Sequence, residues 1–384
     1  GSGRIPFDLN LGSSAFGKFF ENEKFDFVAN ANIRTLPFLS PYISDLDSAV
    51  GKFEIELSLN GIPSDIQRNG KIKIEDGRLY TLLLSDPVTS IEGYATMENN
   101  QLMIDDLKAL LFNNQYNETS TSEYNTRIKG SMDFSEFFNP GYDLKVKAKD
   151  ASFQLLFLDI SGNSNLDLTI AGKDTVYIDG MIEATEANVF YEFTTEDVGT
   201  VIQSEDDNIL AYNLNIPLRG KSYFRNSQID AEIIGELNLT QVGNQEIDFG
   251  GQIIVEDGSV FSYKDYFEKL QGIVSFDNKG FNPSIDVSAY TMIDDERIDL
   301  SMKGGISDLD IILESGSGFS ESDILELLTW GKRFEDQELT STGFGNQTVS
   351  ILGTLLENQL EKNLRESNIG MMNFVDDIDI SGAA

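Results

Sequence analysis

The chain has 384 residues, 64 acidic against 28 basic side chains, and a formal net charge of -36. That acidity excludes a nucleic-acid backbone as partner, and electrostatic docking on an anionic bilayer, because both are held by Lys and Arg. Cys and His are both absent, which removes thiol nucleophiles, Ser-His-Asp triads and nearly all zinc, copper and haem sites.

Gly1-Ser2-Gly3 reads as a cloning remnant. Residues 4–35 form a mixed lead-in with Phe16, Phe19, Phe20, Phe25 and Phe27 close together. Pro37 and Pro41 forbid a strand interior and predict a short helix or turn from Leu36 to Leu46. From Val50 onward a two-residue period takes over. Phe53, Ile55, Leu57 and Leu59 alternate with Lys52, Glu54, Glu56, Ser58 and Asn60. The same phase predicts inward residues at Ile72 and Ile74, at Leu144 and Val146, at Leu166, Leu168 and Ile170, and at Val176 and Ile178. It continues at Ile229, Ala231, Ile233 and Leu237, and at Ile253 and Val255. The last members are Ile285 and Val287, then Ile298, Leu300 and Met302, then Leu309, Ile311 and Leu313. A strand with this pattern has one apolar and one wet face.

Asn60-Gly61, Asn69-Gly70, Asp76-Gly77, Asn99-Asn100, Asp179-Gly180 and Asp257-Gly258 tolerate positive φ and predict hairpin turns. Their spacing predicts about twenty short strands. Residues 113–123 read as a polar loop and 194–208 as an acidic one. NGKIKIEDGRLY at 69–80 resembles GGQIIVEDGSVFSY at 250–263, each read as strand, tight turn, strand; 124–134 plays a part like 229–239. This loose recurrence predicts an extended repeat architecture.

Helices are predicted near the end. Ser320 with Asp323 forms a capping-box signature ahead of Ile324-Leu325-Glu326-Leu327-Leu328, and Gly331 stops the run. A second helix from Thr348 to Arg365 carries Ile351, Leu352, Leu355, Leu356, Leu360 and Leu364 on one stripe and reads as a lid or plug.

Two helices are too little to cover so long an apolar face, and a soluble monomer does not expose one of that extent. A parallel β-helix would repeat every 20–25 residues or so, and no such period is present. The residues alone leave two solutions: a sandwich with a dry core, or an open trough filled by ligand. Antiparallel meander pairing suits the turns, and twenty strands would run on the order of 100 Å. The pairs Asp105-Asp106, Asp206-Asp207, Asp294-Asp295 and Asp376-Asp377 read as solvated turns. Catalytic carboxyls would have to face each other across a cleft. Calcium at Asp294, Asp295 and Glu296 lacks a spaced ligand loop. No metal, cofactor or enzymatic activity is expected.

GQIIVEDGSVFSYKDYFEKLQGIVSFDNKGFNPSIDVSAY at 251–290 and GISDLDIILESGSGFSESDILELLTWGK at 305–332 resemble the C-terminal region of the TamB family, within the AsmA-like bridge-type lipid transfer proteins. The match runs through Phe276-Asp277, Asn282-Pro283-Ser284-Ile285-Asp286 and the helix motif from Phe319-Ser320 to Gly331. Residues 36–61 are similar to a segment that opens earlier family repeats, and the likeness spans most of 33–380. The resemblance implies an all-β fold: a long curled, taco-like, mostly antiparallel sheet groove with an apolar interior, plus one or two C-terminal helices. It implies a lead-in over 1–35, a repeating β-groove over 36–318, a helical segment over 319–366, and a final strand and tail over 367–384. It also implies an internal fragment of a longer protein, anchored in the inner membrane and crossing the periplasm. The implied role is to carry phospholipids, acyl chains in the groove, with an outer-membrane BamA-superfamily barrel as a partner of the full-length protein. On this reading Leu300→Asp lowers lipid loading and Asp299→Leu does not. The alternative is a scaffold or chaperone for outer-membrane barrel assembly, using a free sheet edge.

Overall fold

The computed structural model describes residues 1–5, 23–36, 46–62, 64–82, 84–113, 124–136, 139–155, 160–190, 209–243, 245, 248–262, 265–280, 283–305 and 309–330. The expected turn or helix after Leu36, both polar loops, the helix at 348–365 and the final strand fall wholly or mostly outside them.

Among the described residues the fold is all-β, with 17 strands in one sheet and one short helix. The strands are β1 (Ser2–Arg4), β2 (Phe25–Thr35), β3 (Leu46–Ile62), β4 (Asp65–Thr81), β5 (Val88–Glu98), β6 (Gln101–Leu110), β7 (Thr126–Asp133), β8 (Gly141–Leu155) and β9 (Ile160–Gly172). They continue as β10 (Thr175–Phe190), β11 (Ile209–Arg225), β12 (Ile229–Val242), β13 (Asp248–Ser262), β14 (Asp265–Asp277), β15 (Ser284–Ile293), β16 (Glu296–Gly305) and β17 (Asp310–Ser315). The helix α1 is Glu321–Trp330. Consecutive strands from β1 to β8, and again from β12 to β17, pair antiparallel.

Two compact units divide the chain. Unit 1 takes residues 1–156, 164–180 and 206–211; unit 2 takes 157–163, 181–205 and 212–384. The described parts of the lead-in belong to the sheet, since β1 pairs with β2 and β2 with β3.

Several expected turns are strand interior instead. Asn69-Gly70 and Asp76-Gly77 lie within β4, Asp179-Gly180 within β10, and Asp257-Gly258 within β13. The described strands are therefore longer than the turn residues suggested. The recurring Glu-Asp-Gly unit is a bulge: the register of β4 on β5 breaks between Ile74 and Gly77, with Asp76 at φ 51°. In β13 the partners of Glu232 and Ile233 are Asp257 and Val255, so Glu256 is the extra residue. Bulge and hairpin both require a residue tolerant of positive φ, and only the partner strand tells them apart. The Asn99-Asn100 and Asp294-Asp295 pairs are tight turns, both residues of each at positive φ.

Bulges line up across neighbouring strands. In unit 1 the register shifts fall between Val50 and Lys52, Ile74 and Gly77, Thr89 and Glu92, and Ile104 and Leu107. In unit 2 they fall at Glu232/Ile233 and Glu268/Gln271. Each bulge adds right-handed twist and bends its strand, so an aligned line of them creases the sheet within a unit.

Close strand approach also depends on glycine. A Cβ on Gly220 would overlap the Thr185 carbonyl. Gly220→Ala is expected to cost about 1–3 kcal/mol through forced backbone displacement, seen as a lower urea midpoint with an unchanged slope.

Candidate functional site

The strand registers assemble the alternating residues into transverse rows. In unit 1 one row runs Ala31, Ile55, Ile72, Ala95, Ile104, Gly130, Leu144 across β2 to β8. All seven are half-buried. A parallel row runs Ala29, Leu57, Gly70, Met97, Leu102, Met132, Tyr142. At about 4.8 Å per strand, seven strands make an apolar path of roughly 29 Å. Phe53 pairs with Ile33 and Ile74 in a small core with Leu36 and Ala49. Val146 stands opposite Ile128. Leu59, Leu166, Leu168, Ile170 and Ile178 are half-buried, and Val176 is buried.

One row of unit 1 ends on a cation. Leu59 pairs with Arg68 on the same face. The Arg68 guanidinium donates to the Asn100 side-chain oxygen at 3.1 Å and to the Phe134 carbonyl at 3.0 Å. The opposite face is wet. Lys73 and Glu75 pair at 2.6 Å, and their hydrogen bond raises the ammonium pKa and lowers that of the carboxyl. Asp106 has Arg127, Lys108 and Lys129 within 3.5, 3.8 and 3.9 Å. An exposed pair such as Lys73 and Glu75 contributes little to stability. A concavity on this side is lined by Lys52, Glu54, Lys71, Lys73, Glu75 and Tyr94, with Ile72, Ile74 and Ala95 contributing apolar surface.

In unit 2 the same alternation leads to a different burial. Ala231, Ile233, Val255, Val287, Ile298, Leu300, Met302 and Leu309 are buried in one cluster, and Ile298 is 0% exposed. Ile229, Ile253, Ile285, Ile311 and Leu313 pack half-buried against it; Leu237 is half-buried as well. The cover includes α1, whose Ile324, Leu325, Leu327 and Leu328 belong to the same cluster. The helix starts where the sequence placed its cap. Ser320 Oγ donates to Asp323 Oδ2 at 2.7 Å, the Asp323 N–H donates back to Ser320 Oγ at 3.3 Å, and the Ser320 N–H donates to Asp323 Oδ2 at 3.2 Å. Ser320→Ala is expected to cost about 1 kcal/mol of unit 2 stability, measured by urea unfolding.

Sequence reasoning passed over β2 and β5 to β7. Ala29, Ala31, Ala95, Gly130 and Met132 join the rows, but Ala and Gly carry a weak hydropathy signal. Their two-residue phase is visible in FDFVANANIRT once it is read for small residues. Also missed were Val260, Phe267 and Leu270, buried in the unit 2 cluster.

Among the described residues no group of three or more Asp and Glu is arranged to hold a metal ion. No helix among them is long and apolar enough to cross a membrane. A family model, the TamB C-terminal domain, matches residues 125–384, about two thirds of the chain; residues 36–61 lie outside that span. No curated protein matches the chain.

Proposed function

This chain belongs to the TamB C-terminal domain family, and on that premise we propose that it is a periplasmic conduit carrying phospholipids between inner and outer membranes. The family is one of the envelope, working in outer-membrane assembly or lipid transport alongside a BamA-superfamily barrel. The observation that carries the finer reading is the pair of apolar rows crossing seven strands of unit 1, half-buried at every position but Leu102, which is buried. Acyl chains lie on those rows and head groups stay in water. Each buried methylene contributes about 0.8 kcal/mol, enough to hold a tail. The lining repeats with little chemical variety, so it offers no deep trap and permits sliding. Transfer of this kind involves no covalent step and no cofactor. In this reading the whole protein is held at the inner membrane and meets an outer-membrane BamA-superfamily barrel.

The test is direct. The protein is purified from cells without detergent, extracted with organic solvent and analysed by mass spectrometry. Stoichiometric phospholipid is expected; a lipid-free protein sinks the reading.

A further inference from the structure

We infer that α1 is a fixed plug that shuts part of the apolar face of unit 2 to acyl chains, so that lipid contacts the half-buried rows of unit 1 and not the strand residues that share a buried cluster with the helix. This rests on the lipid reading above. Its ground is a contrast between two surfaces with the same alternation. In unit 1, Ile55, Ile72 and Ile104 sit in one row and are all half-buried. In unit 2, Val287 pairs with Met302 and Ala289 with Leu300, and all four are buried.

The helix is built to stand in for lipid. Ile324, Leu325, Leu327 and Leu328 are each no more than 3% exposed. Together these four side chains present about as much hydrocarbon as one sixteen-carbon acyl chain. A face already filled to that degree has no vacancy for a tail, because protein interiors close-pack. The cover is also local. One row beyond Val287 and Met302, the residues Ile253, Val274 and Ile285 are half-buried again.

The entry to α1 is pinned, which argues for a plug over a swinging lid. Ser317 donates its N–H and its hydroxyl to the two carboxylate oxygens of Glu296, both at 2.7 Å. The Gly316 N–H donates to the Arg297 carbonyl at 3.0 Å, and the Phe319 N–H to Ser315 Oγ at 2.6 Å. The capping box then fixes the first turn.

The native methionines provide the test. Met97 and Met132 lie on the unit 1 rows, Met302 is buried in the cluster that contains α1, and Met103 faces outward, 41% exposed. The full chain is expressed with a diazirine analogue of methionine, incubated with phosphatidylethanolamine–phosphatidylcholine vesicles, irradiated, and mapped by peptide mass spectrometry. Lipid adducts are expected on Met97 and Met132, well above the Met103 background, with at least tenfold less on Met302. Adducts on Met302 as abundant as on Met97 overturn the plug and leave the conduit standing. Adducts at none of the three inward sites overturn the conduit, and the plug with it. A second variant, Leu325→Ala with Leu328→Ala, confirmed folded by circular dichroism, is expected to raise the Met302 adduct at least fivefold; an unchanged yield also overturns the plug.

Discussion

Leu300→Asp is expected to unfold unit 2, whereas Asp299→Leu, one residue away, is expected to leave it folded. Leu300 is 4% exposed, stands between Ala289 and Leu313, and shares a cluster with Ile298 and α1. A carboxylate there has neither water nor a cation to answer it. It must either protonate or open the core, at a cost of several kcal/mol. That approaches the whole stability of an ordinary domain, about 5–15 kcal/mol. Asp299 sits on the wet face and pairs with Arg297 at 2.7 Å. Losing such an exposed pair costs less than about 1 kcal/mol. Urea titrations followed by far-UV circular dichroism and by the fluorescence of the single tryptophan, Trp330, check both variants. A Leu300→Asp protein with a wild-type midpoint would contradict the burial described for unit 2. The sequence alone made Leu300 a position for testing lipid loading. Its burial in the cluster shared with α1 makes it a position for testing stability.

The loading test therefore belongs in unit 1, and Ile72→Asp is expected to empty the protein of phospholipid while leaving it folded. Ile72 is half-buried, flanked in its row by Ile55 and Ala95. A carboxylate there keeps part of its hydration, so the folding cost is about 1 kcal/mol. An acyl chain crossing the row would have to strip that hydration. The expected result is at least an approximately fivefold fall in phospholipid per chain by mass spectrometry, with the urea midpoint little changed. Lys71→Leu, on the exposed opposite face of the same strand, is the control and keeps its lipid. Equal lipid content in Ile72→Asp and wild type would count against acyl chains on this row.

Aspartate is thus expected to be tolerated in one row and destructive in another, although both residues sit in the same alternating pattern. What could be read from the chain, and what could not, follows from this. Phe53, Ile55, Leu57 and Leu59 were legible because a strand's side-chain period is two, whatever lies around it. The start of α1 was legible because Ser320 and Asp323 satisfy each other within one turn. Asp76-Gly77 was misread because the same positive φ serves a hairpin or a bulge. The alanines of β2 were passed over because a methyl group hardly marks a face.

Local periodicity, then, was enough to decide which side chains share a face and that the strands are one-faced; whether they form a sandwich or a single sheet it left open. It reads only a few residues at a time, and the backbone enforces it everywhere. What covers each face was decided only in the tertiary structure. Burial depends on where a distant element lands: α1 shares one buried cluster with Ile298, Leu300 and Met302, whereas Ile55, Ile72 and Ile104 are half-buried.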